Sequence, residues 1–250
     1  MPETTPLLIP EVAAIAPQLA IFDKDGTLID FHAMWGSWVT ELARRLEQTT
    51  GRLLADRLFA AMGFDPQTGY VTPSGPLAVT PIAELFVLTR RVLYESSIAP
   101  QRLEAALRNA WHTPDPNLLA RPLVDLTRLF TTLRANGLKI AIATSDDHAP
   151  TETMLATLGL TALVDVIVGA DEGLPIKPAP DVIVAICRTL NIPPSRTIMV
   201  GDNVADLEMG RAAKVGVVIG VLSGVSTPDM LAPAADLILP TVNELLHSEI

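Results

Sequence analysis

The sequence predicts an α/β fold, a doubly wound parallel sheet whose chain is interrupted by a helical insertion. Short apolar runs rich in β-branched residues recur along the chain, which is typical of strands buried on both faces. Helical patterns separate the later runs, and this alternation predicts parallel strands joined by helices. Between the first run and the second lies a long segment of helical period with no comparable strand run. Together these observations predict a core with an inserted module.

The first predicted strand is LAIF at residues 19–22, and five more follow later in the chain. These five are LKIAIA (138–143), VDVIVG (164–169), TIMVG (197–201), VGVVIG (215–220) and DLIL (236–239). The helices between them carry boundary signals. The pattern at 122–137 ends in Asn-Gly, a common helix stop, and the pattern at 179–191 has Pro180 in its first turn. A third, shorter amphipathic pattern covers 205–214.

Residues 32–118 are predicted to form the helical insertion. Its helical patterns cover 34–63, 81–94 and 100–112. The turn-rich stretch 64–81 between them is expected to be irregular. The chain is therefore predicted to divide into a core domain of residues 1–31 and 119–250 and an inserted helical domain.

The composition excludes several classes of function. The 250 residues carry a formal charge of −10 and 49% apolar residues, which favours a packed protein and argues against a nucleic-acid or anionic-membrane partner. The single cysteine, Cys187, excludes an internal disulfide framework and is expected to be buried. The N-terminus lacks the pattern of a signal peptide, and the longest uncharged apolar stretch, 215–227, is too short to span a membrane. We expect a soluble cytoplasmic protein.

Two aspartates follow the first predicted strand directly, in the stretch AIFDKDGTLID at 20–30. Because residues alternate sides in an extended strand, Asp23 and Asp25 are predicted to project to one side and Lys24 to the other, away from the site. The carboxyl ends of strands form the ligand crevice of open α/β sheets. Two carboxylates in that crevice require a cation or a proton. The alternative interpretation is an acidic turn without chemistry.

Later strand ends place further polar groups at the same predicted edge. Thr144 and Ser145 follow LKIAIA, Lys177 precedes a helix, and GDNVAD at 201–206 ends a strand with Asp202 and opens a helix with Asp206. Each alone has a structural explanation, since GDNVAD, for example, is also compatible with a helix N-cap and an acid favoured by the helix dipole. Their common position indicates a single site.

In this order, the motifs DKDGT (23–27), Thr144, KPAPD (177–181) and GDNVAD (201–206) resemble those of the haloacid dehalogenase superfamily. The resemblance is to its phosphatase branch with a helical cap, and it extends from Leu19 to about Leu239. It implies a Rossmann-like core with an inserted α-helical cap that closes over the substrate. It also implies hydrolysis of a small phosphorylated metabolite, phosphoglycolate-like or a sugar phosphate.

The resemblance implies a role for each site residue. Asp23 would attack phosphorus and form an aspartyl-phosphate, while Asp25 would protonate the leaving alkoxide and then deprotonate water. Thr144 and the adjacent Ser145 would bind the phosphoryl oxygens. Lys177 would hold both Asp23 and the transferring group.

A magnesium ion is the implied cofactor. Asp23, the backbone carbonyl of Asp25 and the carboxylate of Asp202 would hold Mg²⁺, with Asp206 completing the shell or orienting its water. The charges of the site residues are consistent with a bound Mg²⁺. Four carboxylates outweigh the single positive charge of Lys177, and the site approaches neutrality only with a divalent ion.

Other chemistry on this fold is less consistent with the residues. Dehalogenases lack an acid at the position of Asp25, and phosphonatases use a cap lysine, whereas residues 32–120 contain no lysine. A β-phosphoglucomutase-like phosphotransferase remains an alternative, and so does a non-catalytic phosphate-binding or regulatory module. The core motifs leave open the physiological substrate and whether the protein is a monomer or a homodimer.

Overall fold

The computed structural model describes residues 7–247. Eight strands occur in this part of the chain: β1 (Leu7–Leu8), β2 (Leu19–Phe22), β3 (Lys139–Ala143), β4 (Val166–Val168), β5 (Thr197–Gly201), β6 (Val217–Val221), β7 (Leu237–Leu239) and β8 (Leu246–His247). Six of them form one sheet in the order β4-β3-β2-β5-β6-β7, with every neighbouring pair parallel. The predicted doubly wound parallel sheet is confirmed. The antiparallel pair β1–β8 was not predicted, because strands of two residues carry no periodicity.

The described chain contains twelve α-helices. They are α1 (Pro10–Ala13), α2 (Ser37–Thr50), α3 (Ala55–Met62), α4 (Pro76–Val79), α5 (Ile82–Glu95), α6 (Pro100–Ala110), α7 (Pro116–Leu119), α8 (Leu126–Ala135), α9 (His148–Thr157), α10 (Asp181–Leu190), α11 (Val204–Ala213) and α12 (Pro228–Leu231). The predicted Asn-Gly stop acts as expected, because α8 ends at Ala135, Asn136 is its C-cap residue and Gly137 adopts a φ of 84°. Pro180 lies one residue earlier than predicted, at the N-cap position of α10 and not in its first turn.

Two compact units make up the chain. We call residues 1–30 and 121–250 the α/β unit and residues 31–120 the helical unit. Within the α/β unit, the chain leaves and returns at adjacent points, where the Asp30 N–H donates to the Arg121 carbonyl over 2.8 Å. The predicted role of residues 32–118 as a cap domain stays a prediction.

Apolar side chains from both faces of the sheet form the core of the α/β unit. On one face, Leu19 and Ile21 of β2 pack in a cluster with Ile183 of α10 and Leu207 of α11. On the other face, the ring of Phe22 lies 5.6 Å from that of Phe130 in α8. Burial on both faces explains why the strands are continuous apolar runs. Cys187 belongs to the first cluster and is buried, as predicted.

The helical unit has its own core. Helix α2 packs against α3 and α6, and α5 packs against α3 and α6. Trp38 of α2 is fully buried, its ring lies 5.5 Å from that of Trp111, and its Nε1 donates to the His112 carbonyl over 2.8 Å. A π-helical turn at His32–Gly36 precedes α2. This unit is organised by helical period, as its sequence predicts.

Among residues 7–247, no helix is both long and apolar enough to cross a membrane. The N-terminal stretch on which the absence of a signal peptide was judged lies partly outside the described residues, which begin at Leu7.

Candidate active site

Polar residues follow the carboxyl ends of neighbouring strands in the α/β unit. Asp23 follows β2, Thr144 follows β3 and Asp202 follows β5. The chain runs from β2 outward through β3 and β4, then returns to β5 beside β2 and runs outward the other way. The strand order therefore reverses beside β2, and such reversal points form the ligand crevice of open α/β sheets.

Three carboxylates converge at this edge, and one lysine contacts two of them. Asp23, Asp202 and Asp206 are all buried and place one carboxylate oxygen each within 4.8 Å of the others. The Nζ of Lys177 lies 2.5 Å from Asp23 Oδ1 and 2.6 Å from Asp206 Oδ1. We call these four residues the Lys177 cluster. Three carboxylates exceed the charge of one ammonium, and their hard oxygen atoms suit a divalent cation such as Mg²⁺.

Asp202 is held in place by the backbone and side chains around it. Thr27 Oγ1 donates to its Oδ1 over 3.2 Å, and the N–H of Val225 donates to its Oδ2 over 3.0 Å. Gly26 and Gly224 approach so closely that an added Cβ would lie 2.6 Å and 1.9 Å from Asp202 Oδ2. Gly26 also has a φ of 87°, which disfavours any side chain. Both glycines are therefore required for the carboxylate to occupy this position.

Asp206 takes part both in the N-cap of a helix and in the site, the two interpretations of GDNVAD given above. Its Oδ2 accepts from the Asn203 N–H over 3.2 Å, and the Asn203 side chain accepts from the Ala205 N–H over 3.1 Å, which forms the N-cap of α11. The other oxygen, Oδ1, contacts Lys177. One carboxylate thus caps a helix and also belongs to the cluster, where the helix N-terminus favours its negative charge.

The ionisation of the Lys177 cluster reflects its excess of negative charge. Burial raises the pKa of Asp23 to about 6, with Lys177 opposing and Asp206 reinforcing the shift. Burial, together with repulsion from Asp23 and Asp206, raises the pKa of Asp202 well above its usual range. Although burial opposes the charge of Lys177, Asp206 and Asp23 raise the pKa of its ammonium above the usual value. A bound cation would relieve this repulsion.

The residues predicted to bind the phosphoryl group share a small pocket. Thr144, Ser145 and Lys177 line it together with Gly169 and Ile176. Thr144 is buried, and its Oγ1 accepts from the Asp146 N–H over 3.1 Å, which shapes the loop after β3. A hydroxyl, backbone groups and an ammonium therefore line one recess, a combination suited to the oxygens of an anion.

A second buried lysine lies between the two aspartates of the first motif. The Nζ of Lys24 is 2.9 Å from Asp25 Oδ2 and 3.0 Å from Asp146 Oδ2. We call Lys24, Asp25 and Asp146 the Lys24 cluster. The sequence predicted that Lys24 and Asp25 project to opposite sides, and the structure differs. Strand β2 ends at Phe22, and the chain then turns, with the Leu28 N–H donating to the Lys24 carbonyl, so strand alternation does not extend to residues 24 and 25.

The Asp25 carboxylate belongs to this second cluster and is absent from the converging trio of Asp23, Asp202 and Asp206. The metal contact predicted for Asp25 uses its backbone carbonyl and not its carboxylate, and this contact remains a prediction. Burial raises the pKa of Asp25, Lys24 opposes the shift, and Asp146 and Asp23 add to it. Asp25 Oδ1 is buried and has no hydrogen-bond partner among residues 7–247.

Several site residues were not identified from the sequence. No site role was predicted for the turn after β6, yet Ser223 Oγ donates to the Gly26 carbonyl over 2.7 Å, and the Val225 N–H donates to Asp202 Oδ2. The signal was present, because this turn also follows the carboxyl end of a central strand. No site role was predicted for Asp146, but its side chain contacts Lys24. A lysine directly after a buried strand needs an acidic partner, but the sequence does not indicate which acid provides it.

The comparison with protein families identifies the chain. The profile described as haloacid dehalogenase-like hydrolase matches residues 17–214, which include every predicted site residue. The chain belongs to the haloacid dehalogenase-like hydrolase family. The match begins before β2 and ends just after α11.

Relatives in sequence and solved structures agree with this assignment. The chain is 26% identical over 200 residues to the plasmid phosphoglycolate phosphatase of Cupriavidus necator, covering 79% of this chain and 78% of that protein. It is 29% identical over 230 residues to the probable phosphatase IndB of Dickeya dadantii, covering 91% of each. A haloacid dehalogenase-superfamily hydrolase from Geobacter sulfurreducens has the same fold, with a TM-score of 0.62, 16% identity and coverage of 92% of this chain and 95% of that one. The predicted family and the predicted phosphatase enzyme are confirmed.

Proposed function

We propose that this chain is a Mg²⁺-dependent phosphatase that hydrolyses a small phosphomonoester through an aspartyl-phosphate intermediate. The observation that carries the proposal is the Lys177 cluster. A lysine from one loop bridges the carboxylate that ends β2 and the carboxylate that opens α11, with Asp202 beside them. Phosphoryl transfer depends mainly on such positioning and charge stabilisation.

In the first step, the Asp23 carboxylate attacks phosphorus and the bond between phosphorus and the ester oxygen breaks. Asp25 donates a proton to the departing oxygen, so that an alcohol leaves rather than an alkoxide. Burial raises the pKa of Asp25, which favours the protonated form that this step needs.

In the second step, the aspartyl-phosphate is hydrolysed. Asp25, now a carboxylate, accepts a proton from water as the water attacks phosphorus. The acyl–phosphate bond breaks, and the Asp23 carboxylate and inorganic phosphate are released. One residue therefore carries the proton in both steps, and the enzyme returns to its starting protonation state.

The remaining site residues bind and orient the phosphoryl group. Thr144 and Ser145 supply polar contacts at the end of β3, and Lys177 supplies positive charge from the same recess. Lys177 also orients Asp23, because its Nζ contacts Asp23 Oδ1. A positioned nucleophile and a positioned phosphoryl group together lower the entropic cost of the reaction.

The metal would be held by Asp23, Asp202 and the Asp25 carbonyl, with Asp206 at the edge of the site. The fit rests on the buried oxygen trio, whose members lie within 4.8 Å of one another and of which only Asp23 and Asp206 contact the ammonium of Lys177. When bound there, Mg²⁺ would neutralise the carboxylates and polarise the phosphoryl group. Thr27 and Val225 would keep Asp202 oriented toward it.

The substrate we propose is phosphoglycolate-like or a sugar phosphate. Support comes from the phosphoglycolate phosphatase relative, with which the chain shares similarity over most of its length. We propose further that the helical unit acts as a cap that excludes water and determines specificity. A cytoplasmic location and a monomeric or homodimeric state stay predictions.

A phosphatase panel tests the proposal. The purified chain is assayed with and without Mg²⁺ on 2-phosphoglycolate, glucose 6-phosphate, phosphoserine and p-nitrophenyl phosphate, with release of inorganic phosphate as the readout. Turnover that requires Mg²⁺ and disappears in Asp23→Asn supports the proposal. A folded wild-type chain that releases phosphate from none of these esters refutes it and favours the non-catalytic alternative.

The phosphotransferase alternative is tested by adding β-glucose 1-phosphate to the panel and measuring glucose 6-phosphate as well as inorganic phosphate. A β-phosphoglucomutase-like enzyme would return the phosphoryl group to a sugar, so glucose 1-phosphate would be converted to glucose 6-phosphate without net phosphate release. We expect inorganic phosphate as the product instead.

A further inference from the structure

Helix α5 of the helical unit packs against its own unit with one face and exposes another in the described part of the chain. Leu85 and Leu93 are fully buried on the inner face, whereas Val87 and Tyr94 are 64% and 71% exposed. Single exposed apolar residues are common in proteins, but these two are seven positions apart and therefore lie on the same side of the helix. The outer side of α5 thus carries an exposed apolar stripe.

A groove of about 400 Å³ lies beside this stripe. Helix α5 forms one of its walls, and the chain at the two ends of α4 forms the other. The lining residues are Pro76, Thr80, Glu84, Val87, Leu88 and Arg91. Along α5 they follow one another in the order acid, apolar, apolar, base.

The two charged residues of the groove have little pairing of their own. Within residues 7–247, the Glu84 carboxylate has no hydrogen bond or ion pair. Arg91 Nε lies 3.9 Å from Glu95 Oε1, and both side chains are exposed, so this contact contributes little. By contrast, the adjacent Arg90 contacts Glu104 over 2.7 Å. The groove therefore presents one unpaired acid and one weakly paired base.

This order of residues is complementary to itself. If two copies of α5 pack antiparallel about a two-fold axis that passes between Val87 and Leu88, Glu84 of each copy lies opposite Arg91 of the other. Val87 of each copy then lies opposite Leu88 of the other, and both charge pairs join unlike charges. A two-fold interface requires such a surface, because the same patch must fit itself.

The distribution of charge also favours contact between copies through the helical unit. Residues 31–120 contain eight arginines, no lysine and eight acidic residues, so this unit has no net formal charge with histidine neutral. The whole charge of −10 therefore lies in the α/β unit. Two copies that met through their α/β units would bring like net charges together, whereas two helical units meet without this repulsion.

We propose that the exposed face of α5 is a homodimer interface, in which the groove of each copy binds α5 of a second copy of this chain. Val87 and Leu88 supply apolar contact near the axis, and the Glu84–Arg91 pairs determine the antiparallel register. The 14 residues of α5 span about 21 Å. Such a contact is small among stable interfaces, so we expect a dissociation constant of about 1–100 μM. This inference does not rest on the proposed function, because it uses only residues of the helical unit.

Charge reversal tests the interface. The full chain is studied by sedimentation velocity from about 1 to 300 μM, in the wild type and in the variants Glu84→Arg and Arg91→Glu. Each variant places like charges opposite each other at both ends of the interface, so each should raise the dissociation constant by at least about tenfold. The control Asp56→Arg reverses an acid in the first turn of α3, as Glu84→Arg does in α5, and should leave the dimer unchanged.

The two variants should bind each other when they are mixed. The introduced arginine of one chain then lies opposite the introduced glutamate of the other, and the native Glu84 and Arg91 meet at the opposite end. The mixture should therefore dimerise with a dissociation constant near that of the wild type, and so should the double variant alone. Added salt should weaken all of these dimers, because the charge pairs are near solvent.

Three results would overturn the proposal: a wild type that is monomeric at every concentration, dimers that persist unchanged in both single variants, or a mixture that stays monomeric. Circular dichroism checks folding, which we expect to be retained because Glu84 and Arg91 are exposed. If one single variant does not fold, the other and the double variant decide.

Phosphate release from the same samples separates this inference from the proposed function. A dimeric wild type that hydrolyses no ester would overturn the phosphatase and leave the interface standing. An active wild type that is monomeric at every concentration would overturn the interface and leave the phosphatase standing.

Discussion

The α/β unit contains two buried lysines, and each lies between two aspartates. Lys177 contacts Asp23 and Asp206 over 2.5 and 2.6 Å, and Lys24 contacts Asp25 and Asp146 over 2.9 and 3.0 Å. The two clusters differ in their number of carboxylates. The Lys177 cluster contains a third carboxylate, that of Asp202, whereas no third carboxylate joins the Lys24 cluster among the described residues.

This difference separates a cluster with surplus negative charge, which suits a cation, from a cluster that is closer to charge balance. Three carboxylates around one ammonium leave a surplus of negative charge that favours a divalent ion. Two carboxylates around one ammonium come closer to balance. Asp23 and Asp25 are two residues apart in sequence, yet the turn at Gly26 assigns them to different clusters. Similar contacts can therefore have different chemical uses, and variants of the two lysines should distinguish them.

The largest expected effect comes from the carboxylate of the Lys177 cluster that we propose as the nucleophile. Asp23→Asn should lower kcat by at least about 10⁴-fold, because an amide cannot form the acyl phosphate. Without metal and near neutral pH, the same variant should unfold at a higher temperature, because one of three mutually repelling carboxylates is gone. Phosphate release and thermal unfolding measure the two effects. Turnover similar to that of the wild type would exclude Asp23 as the nucleophile.

The two lysines should respond differently to metal. Removing one partner of a buried ion pair costs about 3–5 kcal/mol, so Lys177→Met and Lys24→Met should both be destabilised without metal. Saturating Mg²⁺ should recover much of the loss in Lys177→Met, because the ion replaces the ammonium among three carboxylates. It should stabilise Lys24→Met no more than it stabilises the wild type. Denaturant unfolding with and without Mg²⁺ measures this, and equal gains in both variants would contradict the comparison.

The pH dependence of the Lys177 cluster gives a smaller effect. The pKa of Asp23 is raised from 3.8 to about 6, so between these values the native carboxyl holds a proton that the unfolded chain has lost. Stability without metal should therefore fall as pH rises through this window. Because a cation binds the ionised form, the stabilisation by Mg²⁺ should be small near pH 5 and larger above about pH 7.

Thermal unfolding at both pH values, with and without Mg²⁺, checks this prediction. The matched control is Asp23→Asn, which should lose part of the pH dependence in the metal-free state. A stabilisation by Mg²⁺ that is independent of pH would show that protons and metal do not compete in this cluster.

The smallest effect should come from an exposed cluster in the helical unit that has contacts of similar length. Glu41 accepts from Arg44 over 2.7 and 2.6 Å and from Arg45 over 2.7 Å, and these bonds lower the pKa of Glu41 to about 2. Because these side chains are solvated, Glu41→Gln should cost less than about 1 kcal/mol, and added salt should reduce the cost further. The stabilisation is present above about pH 4.5 and is lost as pH falls toward 2.

Denaturant unfolding at low and high salt measures this cost, and the phosphatase activity should be unchanged. A loss as large as that of Lys24→Met would mean that contact length, and not burial, determines the strength of these clusters.

Much of the sheet could be predicted from the sequence, because the residue patterns that identify strands and helix ends are local. Strands buried on both faces must be apolar at nearly every position, and LAIF and TIMVG therefore identify β2 and β5 directly. Stops such as Asn136-Gly137 are equally local, because they depend on the backbone preference of one or two residues. The motif residues could be placed at one edge because parallel strands bring their carboxyl ends together.

The side-chain pairings could not be predicted in this way. The alternation argument assigned Lys24 to the side opposite Asp25, but it holds only while the chain is extended, and the chain turns after Phe22. Asp146 lies just before α9, where short polar side chains usually cap the helix, so its local sequence does not indicate an ion pair. Its contact with Lys24 spans 122 positions in the sequence, and no local preference encodes it.

The sequence by itself thus indicated the family, the parallel sheet and the motif residues that follow its strand ends, because periodicity and motif spacing are local properties of the chain. Only the tertiary structure decided which lysine pairs with which aspartate. It placed Asp202 against Gly26 and Gly224 and left Asp25 Oδ1 without a partner among residues 7–247. The physical reason is that a buried charge is stabilised by whichever opposite charge the packed fold brings within about 3 Å of it, and that depends on the turn of each loop.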